Sequence, residues 1–448
     1  MQAAGNPATA PPRRPWWRAF TWLLFLGPFF FASYGFANWV ASRRVDVSAV
    51  VFDWESLIPF VSWSIIPYWT IDLLYGLSLF VCTTRRELDV HGRRLLCAQL
   101  ISVACFLLFP LRFTFPRPDT EGFHGLMFDV LTGFDKPFNQ APSLHIALLV
   151  ILWGTYLRHL RGAWRWLLNG WFFVIGVSVL TTYQHHFIDV PTGVWVGWLC
   201  VWLFPEQGSS LLSRARVASA PQRRVLALRY GVAALVVGVA AIYLGGWALW
   251  LLWVSGSLAL VAAIYAIFCE SAFQKQADGS LSSAARWLLA PYLLGAWLNS
   301  RWWTRSTAGA DSVVPGVLLG RVPTRAERDA YGVRAIVDVT AEMACAADGA
   351  YYVNVPQLDL VPPTVSQIER FVQAIEGALA HRPVLVCCAL GFSRSATAIA
   401  AWLVASGRAA THADAIEQVR SKRPAVVFDM AHVAALERFA GQHRVPLT

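Results

Sequence analysis

Long apolar runs separated by short arginine-rich segments fill the chain from Trp17 to Cys269. A helix that crosses a bilayer needs about 20 consecutive, mostly apolar residues. Eight segments have this character, and we predict that each forms a membrane span: Trp17–Ala41, Ser56–Thr83, Leu95–Phe115, Pro142–Leu160, Trp164–Thr182, Phe187–Phe204, Val225–Leu244 and Trp247–Cys269. The first span is too long for a signal peptide and lacks a small-residue cleavage site, so it should remain in the protein.

The pattern changes near Val313 to short strand-like and helix-like segments in alternation. Four strands are predicted at Val317–Leu319, Ala335–Val339, Tyr351–Val355 and Pro383–Cys387. Four helices are predicted at Ile368–Leu379, Ser395–Ala405, Ala413–Arg420 and His432–Gly441. This alternation is typical of an α/β domain with a mainly parallel sheet.

These patterns predict a multi-domain chain with a polytopic α-helical membrane domain and a C-terminal α/β domain. We expect a tail (1–16), a membrane domain (17–205), two further membrane helices (206–270), an amphipathic linker (271–311) and the α/β domain (312–448). The linker carries tryptophans and leucines flanked by arginines, which favours one helix on the membrane surface. The alternative is a ninth span, which would move the α/β domain to the opposite side of the membrane.

Composition supports a membrane protein, because 56% of the 448 residues are hydrophobic and only 14% are charged, against about 25% charged in soluble domains. The net charge of +10 comes mostly from arginines in alternate loops, which predicts that those loops are cytoplasmic. Arg43 and Arg44 lie on the other side but are outnumbered. An even number of spans then makes both termini cytoplasmic. The charge distribution is not that of a nucleic-acid binding surface.

A cysteine lies where the last predicted strand ends. The loop that follows is Cys388-Ala389-Leu390-Gly391-Phe392-Ser393-Arg394-Ser395, and a helical run comes next. A loop between a strand and a helix N-terminus directs backbone N–H groups at an anion. Gly391 permits the turn, Ser393 and Gly391 would bind phosphate, and Arg394 can hold two phosphate oxygens. The Cys388 thiolate would attack a phosphoester and form a phosphocysteine.

The leaving oxygen of such a reaction needs a proton donor. Asp359 is our candidate, since it follows a predicted strand and precedes a helix. Asp338 is less suitable because it lies inside an apolar strand. Ser395 is placed to help the thiolate leave in the second step.

The segment Ser312–Thr448 resembles a dual-specificity phosphatase domain of the protein tyrosine phosphatase superfamily, in the loop above and in Val314–Gly320 and Val419–Pro424. The resemblance implies that Cys388 is the nucleophile, Arg394 the phosphate clamp, Ser395 the leaving-group helper and Asp359 the acid. The family usually has His before the nucleophile, whereas this chain has Cys387, which could also trap an oxidised Cys388. The loop interior is uncharged, which favours a single phosphate on protein or lipid.

Polar residues also gather at one end of the apolar spans, where they are costly and therefore candidates for function. Pro142-Ser143-Leu144-His145 opens span four. His185 and Asp189 lie four apart at the start of span six, on one predicted helical face. Arg112 and Arg117 end span three. His185 would attack phosphorus, Asp189 would orient it and His145 would protonate the leaving oxygen. Arg112, Arg117 and Ser143 would bind the phosphate.

The region Ser56–Pro205 resembles the type 2 phosphatidic acid phosphatase superfamily, which has a six-helix core. Leu144 replaces a usual Gly, Val179 replaces a usual Arg, and Arg112 with Arg117-Pro118 approximates the first motif. The resemblance implies the same three roles for His185, His145 and Asp189. The whole chain is similar to a bacterial fusion family, so we expect it in the inner membrane.

The function expected from the sequence is a membrane phosphatase with two phosphatase-type sites and no metal or cofactor. Its partners would be a phosphorylated protein or lipid and the bilayer, and no nucleic acid. Two alternatives stay open for the membrane domain. It could transfer phosphoryl headgroups between lipids, or it could bind lipid without turnover and anchor the cysteine phosphatase.

Overall fold

The computed structural model describes residues 14–442, which form two compact units divided between Ser213 and Arg214. Residues 1–13 of the predicted tail and residues 443–448 of the predicted α/β domain lie outside the described part.

The first unit consists of helices. Its elements are α1 (Trp16–Ser42), α2 (Ile65–Val81), α3 (Arg85–Leu108), α4 (Gly122–Phe134), α5 (Leu144–His159), α6 (Ala163–Thr181), α7 (Asp189–Leu203) and a single turn, α8 (Leu211–Arg214), at the unit boundary. Helix α4 lies between the third and fourth predicted spans and was not predicted.

A helix occupies each predicted span, but only some of these helices are long enough to cross a bilayer. In residues 14–442, six helices qualify by length and composition: Trp16–Ser42, Ser62–Val81, Arg85–Leu108, Ala163–Thr181, Pro221–Leu244 and Gly246–Phe268. The helix in the fourth predicted span has 16 residues and the one in the sixth has 15. The structure therefore supports a membrane-associated protein with six clear candidate spans.

The third predicted span was misplaced. We expected Leu95–Phe115, but α3 begins at Arg85 and ends at Leu108, so the arginines assigned to the preceding loop lie on its first turns. Arg94 is buried, and its Nε donates to the carbonyl oxygen of Phe204 at 2.9 Å. A helix accepts such arginines because their aliphatic stems cover apolar surface while the guanidinium finds a partner.

Two glycines set the distance between α5 and α7. A Cβ on Gly193 would lie 2.6 Å from the carbonyl oxygen of Ser143, and one on Gly197 would lie 2.7 Å from Cβ of Val150. Small residues four apart let two apolar helices approach closely. This packing places Asp189, the first residue of α7, beside Ser143, whose backbone N–H donates to the Asp189 carbonyl at 3.1 Å.

The second unit begins with a helical part and continues into an α/β domain. The helical part contains α9 (Pro221–Leu244), α10 (Leu251–Ala263), which continues into a π-helical turn (Ile264–Phe268), α11 (Ser283–Leu288) and α12 (Ala290–Trp303). The remaining elements are β1 (Ala310–Val314), β2 (Val317–Arg321), α13 (Arg325–Ala330), β3 (Ala335–Thr340), β4 (Tyr351–Gln357), α14 (Val365–Ala378), β5 (Val384–Cys388), α15 (Arg394–Ala405), α16 (His412–Lys422) and α17 (Met430–Gln442).

The sheet of the second unit has five strands in the order β1-β2-β5-β3-β4. Only the β1–β2 pair is antiparallel, so the prediction of a mainly parallel sheet is confirmed. Strand β5 lies at the centre and all its residues are buried. The four predicted strands and four predicted helices are all present, whereas β1 and α13 were missed.

The linker differs from the single helix that we expected, since it forms α11 and α12 and packs on the α/β domain. Lys275 forms a buried ion pair with Asp338 of β3 and donates to Oγ1 of Thr340 at 2.7 Å. Ser300 of α12 donates from Oγ to the carbonyl oxygen of Ala389 at 2.5 Å. The linker therefore contacts the loop that follows Cys388.

Candidate active sites

The loop after β5 surrounds the sulfur of Cys388 with hydrogen-bond donors. Sγ accepts from the backbone N–H of Gly391 and from the hydroxyl of Ser395, each at 3.2 Å. Helix α15 begins at Arg394, so its N-terminal N–H groups and positive dipole end also lie at the loop. Both donors stabilise a negative charge on sulfur, as a nucleophilic thiolate requires.

Gly391 is required by the shape of this loop. Its φ is +72°, and a Cβ would lie 2.5 Å from the carbonyl carbon of Gly320 in β2. A side chain here would meet both a disfavoured backbone conformation and the neighbouring strand. The sequence predicted the turn, and the structure adds the close contact with β2.

Arg394 is buried and forms an ion pair with a carboxylate, Glu342, that was not predicted from the sequence. Its Nη2 and Nη1 donate to the two carboxylate oxygens of Glu342 at 2.7 and 3.0 Å, and Nη1 also donates to the Gln357 carbonyl at 3.0 Å. Burial opposes ionisation of Glu342, but the Arg394 guanidinium holds the pKa of Glu342 below its ordinary value. This bidentate pair fixes the orientation of the guanidinium at the loop.

Asp359 lies in the loop between β4 and α14, as predicted, and its Oδ1 is 3.1 Å from Nη2 of Arg394. Its side chain is 42% exposed. The pKa of Asp359 is raised above its ordinary value, mainly because its carboxyl group is partly buried. The Arg394 guanidinium lowers this pKa, and the nearby Glu342 carboxylate raises it further. The pKa of Glu342 is thus lowered while that of Asp359 is raised, which are the directions expected of a residue that positions Arg394 and of a general acid.

Two further side chains contact the loop Cys388–Ser395, which we call the catalytic loop, and neither was predicted from the sequence. Arg423 is buried, donates from Nε to the Gly391 carbonyl at 3.0 Å and pairs with Asp311. His432 of α17 places Nε2 3.4 Å from Oγ of Ser393, and its Nδ1 contacts Asp429 at 2.7 Å. The signal for Arg423 was its place in the segment that resembled the phosphatase family.

Cys387 faces away from the catalytic loop because successive strand residues point to opposite sides of a sheet. Its side chain packs with Ile336 and Cys345, whereas Cys388 packs in the core cluster on the other face. A hydrogen bond with Cys345 and burial raise the pKa of Cys387 well above its ordinary value. The thiol of Cys387 is therefore kept neutral beside the nucleophile candidate.

In the first unit, His185 lies between two of its predicted neighbours. Its Nδ1 is 3.1 Å from Oδ2 of Asp189, and its Nε2 is 3.1 Å from Oγ of Ser143. With the proton on Nδ1, facing the carboxylate, Nε2 keeps a lone pair that accepts a hydrogen bond from the Ser143 hydroxyl. His185 precedes α7 rather than lying on it, so the reason that we gave for the pairing, a shared helical face, was wrong.

The other predicted members of this site differ in position. His145 lies in the first turn of α5 and stacks on the Tyr68 ring at 4.3 Å between centroids. Arg117 donates to the carbonyl oxygen of Tyr183 at 3.3 Å. Arg112 is exposed, and the structure shows no contact of its side chain with these histidines among the described residues.

A second histidine beside the first was missed. His186 is buried, its Nδ1 is 2.9 Å from Oε2 of Glu55, and its Nε2 accepts from the backbone N–H of Thr114 at 3.2 Å. Glu55 also accepts from the backbone N–H of Phe187 at 3.0 Å. These bonds fix the loop that carries His185. In residues 14–442, no group of three or more His, Cys, Asp and Glu side chains is arranged to hold a metal ion.

Comparison with known families gives a match for each unit. Residues 319–442 match the dual specificity phosphatase catalytic domain, and residues 91–213 match the PAP2 superfamily. Both are phosphatase families, so this chain is a phosphoric monoester hydrolase with a PAP2 domain and a dual-specificity phosphatase domain.

Several solved structures are similar to part of the chain. Human DUSP28 is 25% identical, with a TM-score of 0.28, over 30% of this chain and 95% of that chain. The active form of Tk-PTP is 25% identical, with a TM-score of 0.28, over 30% of this chain and 99% of that one. PTPMT1 in complex with PI(5)P is 22% identical, with a TM-score of 0.27, over 30% of this chain and 96% of that one.

Proposed function

We propose that the C-terminal domain hydrolyses phosphate monoesters through a phosphocysteine on Cys388. The observation that carries this proposal is the pair of donors, Gly391 N–H and Ser395 Oγ, at 3.2 Å from Sγ. A structural cysteine needs neither donor, whereas a thiolate nucleophile needs both its charge and its position stabilised.

The reaction proceeds in two displacements. The Cys388 thiolate attacks phosphorus, the P–O ester bond breaks, and Asp359 gives its proton to the leaving alcohol oxygen. Water then attacks the phosphocysteine, Asp359 takes a proton from that water, and the S–P bond breaks. Inorganic phosphate leaves and Ser395 donates to the regenerated thiolate. Arg394 and the loop N–H groups hold the phosphoryl oxygens throughout.

The test is hydrolysis of p-nitrophenyl phosphate by the purified full chain with His185→Ala, so that only the Cys388 site is measured. We expect Cys388→Ser to reduce the rate to background. Cys387→Ser is the matched control, because it changes the adjacent thiol, which lies on the opposite face of the sheet. We expect this variant to hydrolyse p-nitrophenyl phosphate at the parent rate. Wild-type activity in Cys388→Ser would refute the proposed nucleophile.

For the membrane domain we propose histidine-based hydrolysis of a lipid phosphate, supported by the placement of His185 between Asp189 and Ser143. His145 is the proposed acid, and Arg112 and Arg117 the proposed phosphate ligands. In a Cys388→Ser background, His185→Ala should abolish release of phosphate from lipid phosphates in detergent. Phosphate that moves to another lipid would indicate a headgroup transferase, and lipid binding without turnover would indicate an anchor.

We further propose eight spans with both termini in the cytoplasm of a bacterial inner membrane, and the five segments with the boundaries given above. The arginine distribution supports this arrangement. Reporter fusions after Cys269 and after Thr448 should both be cytoplasmic. A periplasmic reporter at Thr448 would show that the linker adds a span and that the cysteine site lies outside.

A further inference from the structure

Exposed apolar side chains lie on segments that adjoin the Cys388 loop. In the described part of the α/β domain the exposed large apolar residues are Tyr351 (41%), Leu360 (65%), Val427 (58%) and Met430 (89%). All except Tyr351 lie on segments that adjoin the catalytic loop. We call Leu360, Val427 and Met430 the apolar rim.

Each rim residue is tied to the site. Leu360 follows the acid Asp359 directly. The backbone N–H of Val427 donates to the carbonyl oxygen of Phe392 at 2.8 Å. Met430 begins α17, the helix whose His432 contacts Ser393. Each rim residue therefore lies on a segment that contacts the Cys388–Ser395 loop or carries Asp359.

Leu360 is also held in an unfavourable backbone conformation, with φ +57°. A non-glycine residue in this region costs free energy, and such costs gather at functional sites. Asparagine would adopt this conformation more easily and would not expose an apolar side chain. Leucine at this position therefore costs free energy twice, through its backbone conformation and through its exposed apolar side chain. Its place next to Asp359 points to contact with an apolar partner.

The same site adjoins helices of membrane character. Tyr265, in the π-helical turn that ends the candidate span Gly246–Phe268, donates from its hydroxyl to the Asp359 carbonyl at 3.1 Å. Helix α12, whose Ser300 contacts the catalytic loop, exposes Trp297, Trp302 and Trp303. Tryptophan is enriched where protein crosses the membrane surface. The acid loop and the phosphate loop are each attached to an element suited to the lipid interface.

We propose that the Cys388 site acts on monophosphate headgroups of lipids in the membrane that its own helices occupy, with the apolar rim contacting the lipid chains. This inference rests on the proposed cysteine phosphatase. A lipid phosphate reaches this site by lateral diffusion, and the uncharged interior of the loop suits one phosphate. The leaving group is then the lipid alcohol oxygen, which receives the proton of Asp359.

The test uses the full chain with His185→Ala, so that only the Cys388 site is measured, in phosphatidylcholine vesicles that contain phosphatidic acid or phosphatidylglycerol phosphate. The rim variant Leu360→Asn/Val427→Thr/Met430→Gln should lower kcat/KM on these lipids roughly tenfold. Its rate on glycerol 3-phosphate, which has the same kind of leaving oxygen without chains, should stay at that of the parent. Tyr351→Gln, at the far end of β4, is the matched control and should leave both rates unchanged.

Equal kcat/KM of parent and rim variant on the lipids would overturn the inference, as would an equal loss on glycerol 3-phosphate. Faster hydrolysis of a phosphotyrosine peptide than of either lipid by the parent would also overturn it and indicate a protein substrate. None of these results touches the proposed nucleophile. That proposal is tested separately, by the rate of Cys388→Ser on p-nitrophenyl phosphate.

Discussion

Replacing Glu342 by Gln should destabilise the cysteine phosphatase domain strongly. Glu342 and Arg394 expose 4% and 3% of their side chains, and removal of one partner of such a buried pair costs about 3–5 kcal/mol. The Gln357 carbonyl and Asp359 still contact the guanidinium, so we expect about 3 kcal/mol, the lower end of that range. For a domain of this size that corresponds to a fall in Tm of roughly 10 °C.

The assay is the temperature at which the full chain loses half of its Cys388-dependent hydrolysis of p-nitrophenyl phosphate, which reports on this domain alone. Glu417→Gln is the matched control, because Glu417 pairs with Arg420 on the surface with 73% of its side chain exposed. Such a pair contributes about 0–1 kcal/mol. If Glu342→Gln inactivates at the same temperature as Glu417→Gln, the buried pair does not anchor Arg394 and our reasoning is wrong.

Three further predictions follow from the two sites. Because the pKa of Asp359 is raised, hydrolysis of alkyl phosphates should fall as pH rises through that pKa. Asp359→Asn should remove this pH dependence and slow alkyl phosphates about 10²–10⁴-fold while sparing p-nitrophenyl phosphate, and a flat parent profile would contradict the role. Gly391→Ala should abolish Cys388-dependent turnover, since its Cβ meets β2 at 2.5 Å; normal kcat would show that the loop adapts. Ser143→Ala should slow lipid phosphate release at His185 in a Cys388→Ser background, and an unchanged rate would remove Ser143 from the site.

The strand, loop and helix around Cys388 were predictable because local rules specify them. A short continuous apolar run marks β5, Gly391 marks the turn, and the helical run marks α15. The pairing of His185 with Asp189 was also predicted, although the geometry that produces it was not. Local sequence identified the residue types, and the close helix approach at Gly193 brings Ser143 to the pair.

The residues that support the sites could not be predicted because they come from distant segments. Glu342 lies 52 positions from Arg394 and Glu55 lies 131 from His186, and neither is marked by a local pattern. The arginines at the start of α3 were assigned to a loop because charged residues are not expected in a membrane span, although they continue the same helix. Strand β1 was missed because it is short and partly exposed, and pairs only at the sheet edge.

The most direct test of the cysteine phosphatase is to trap its intermediate. Full-length protein mixed with p-nitrophenyl phosphate is quenched in acid within a turnover, digested and analysed by mass spectrometry, with Ser395→Ala to slow the second displacement. We predict a phosphoryl group on Cys388 that accumulates further in Ser395→Ala and is absent in Cys388→Ser. Turnover without phosphate on Cys388 in either the parent or Ser395→Ala, or phosphate on another residue of the domain, would contradict the mechanism.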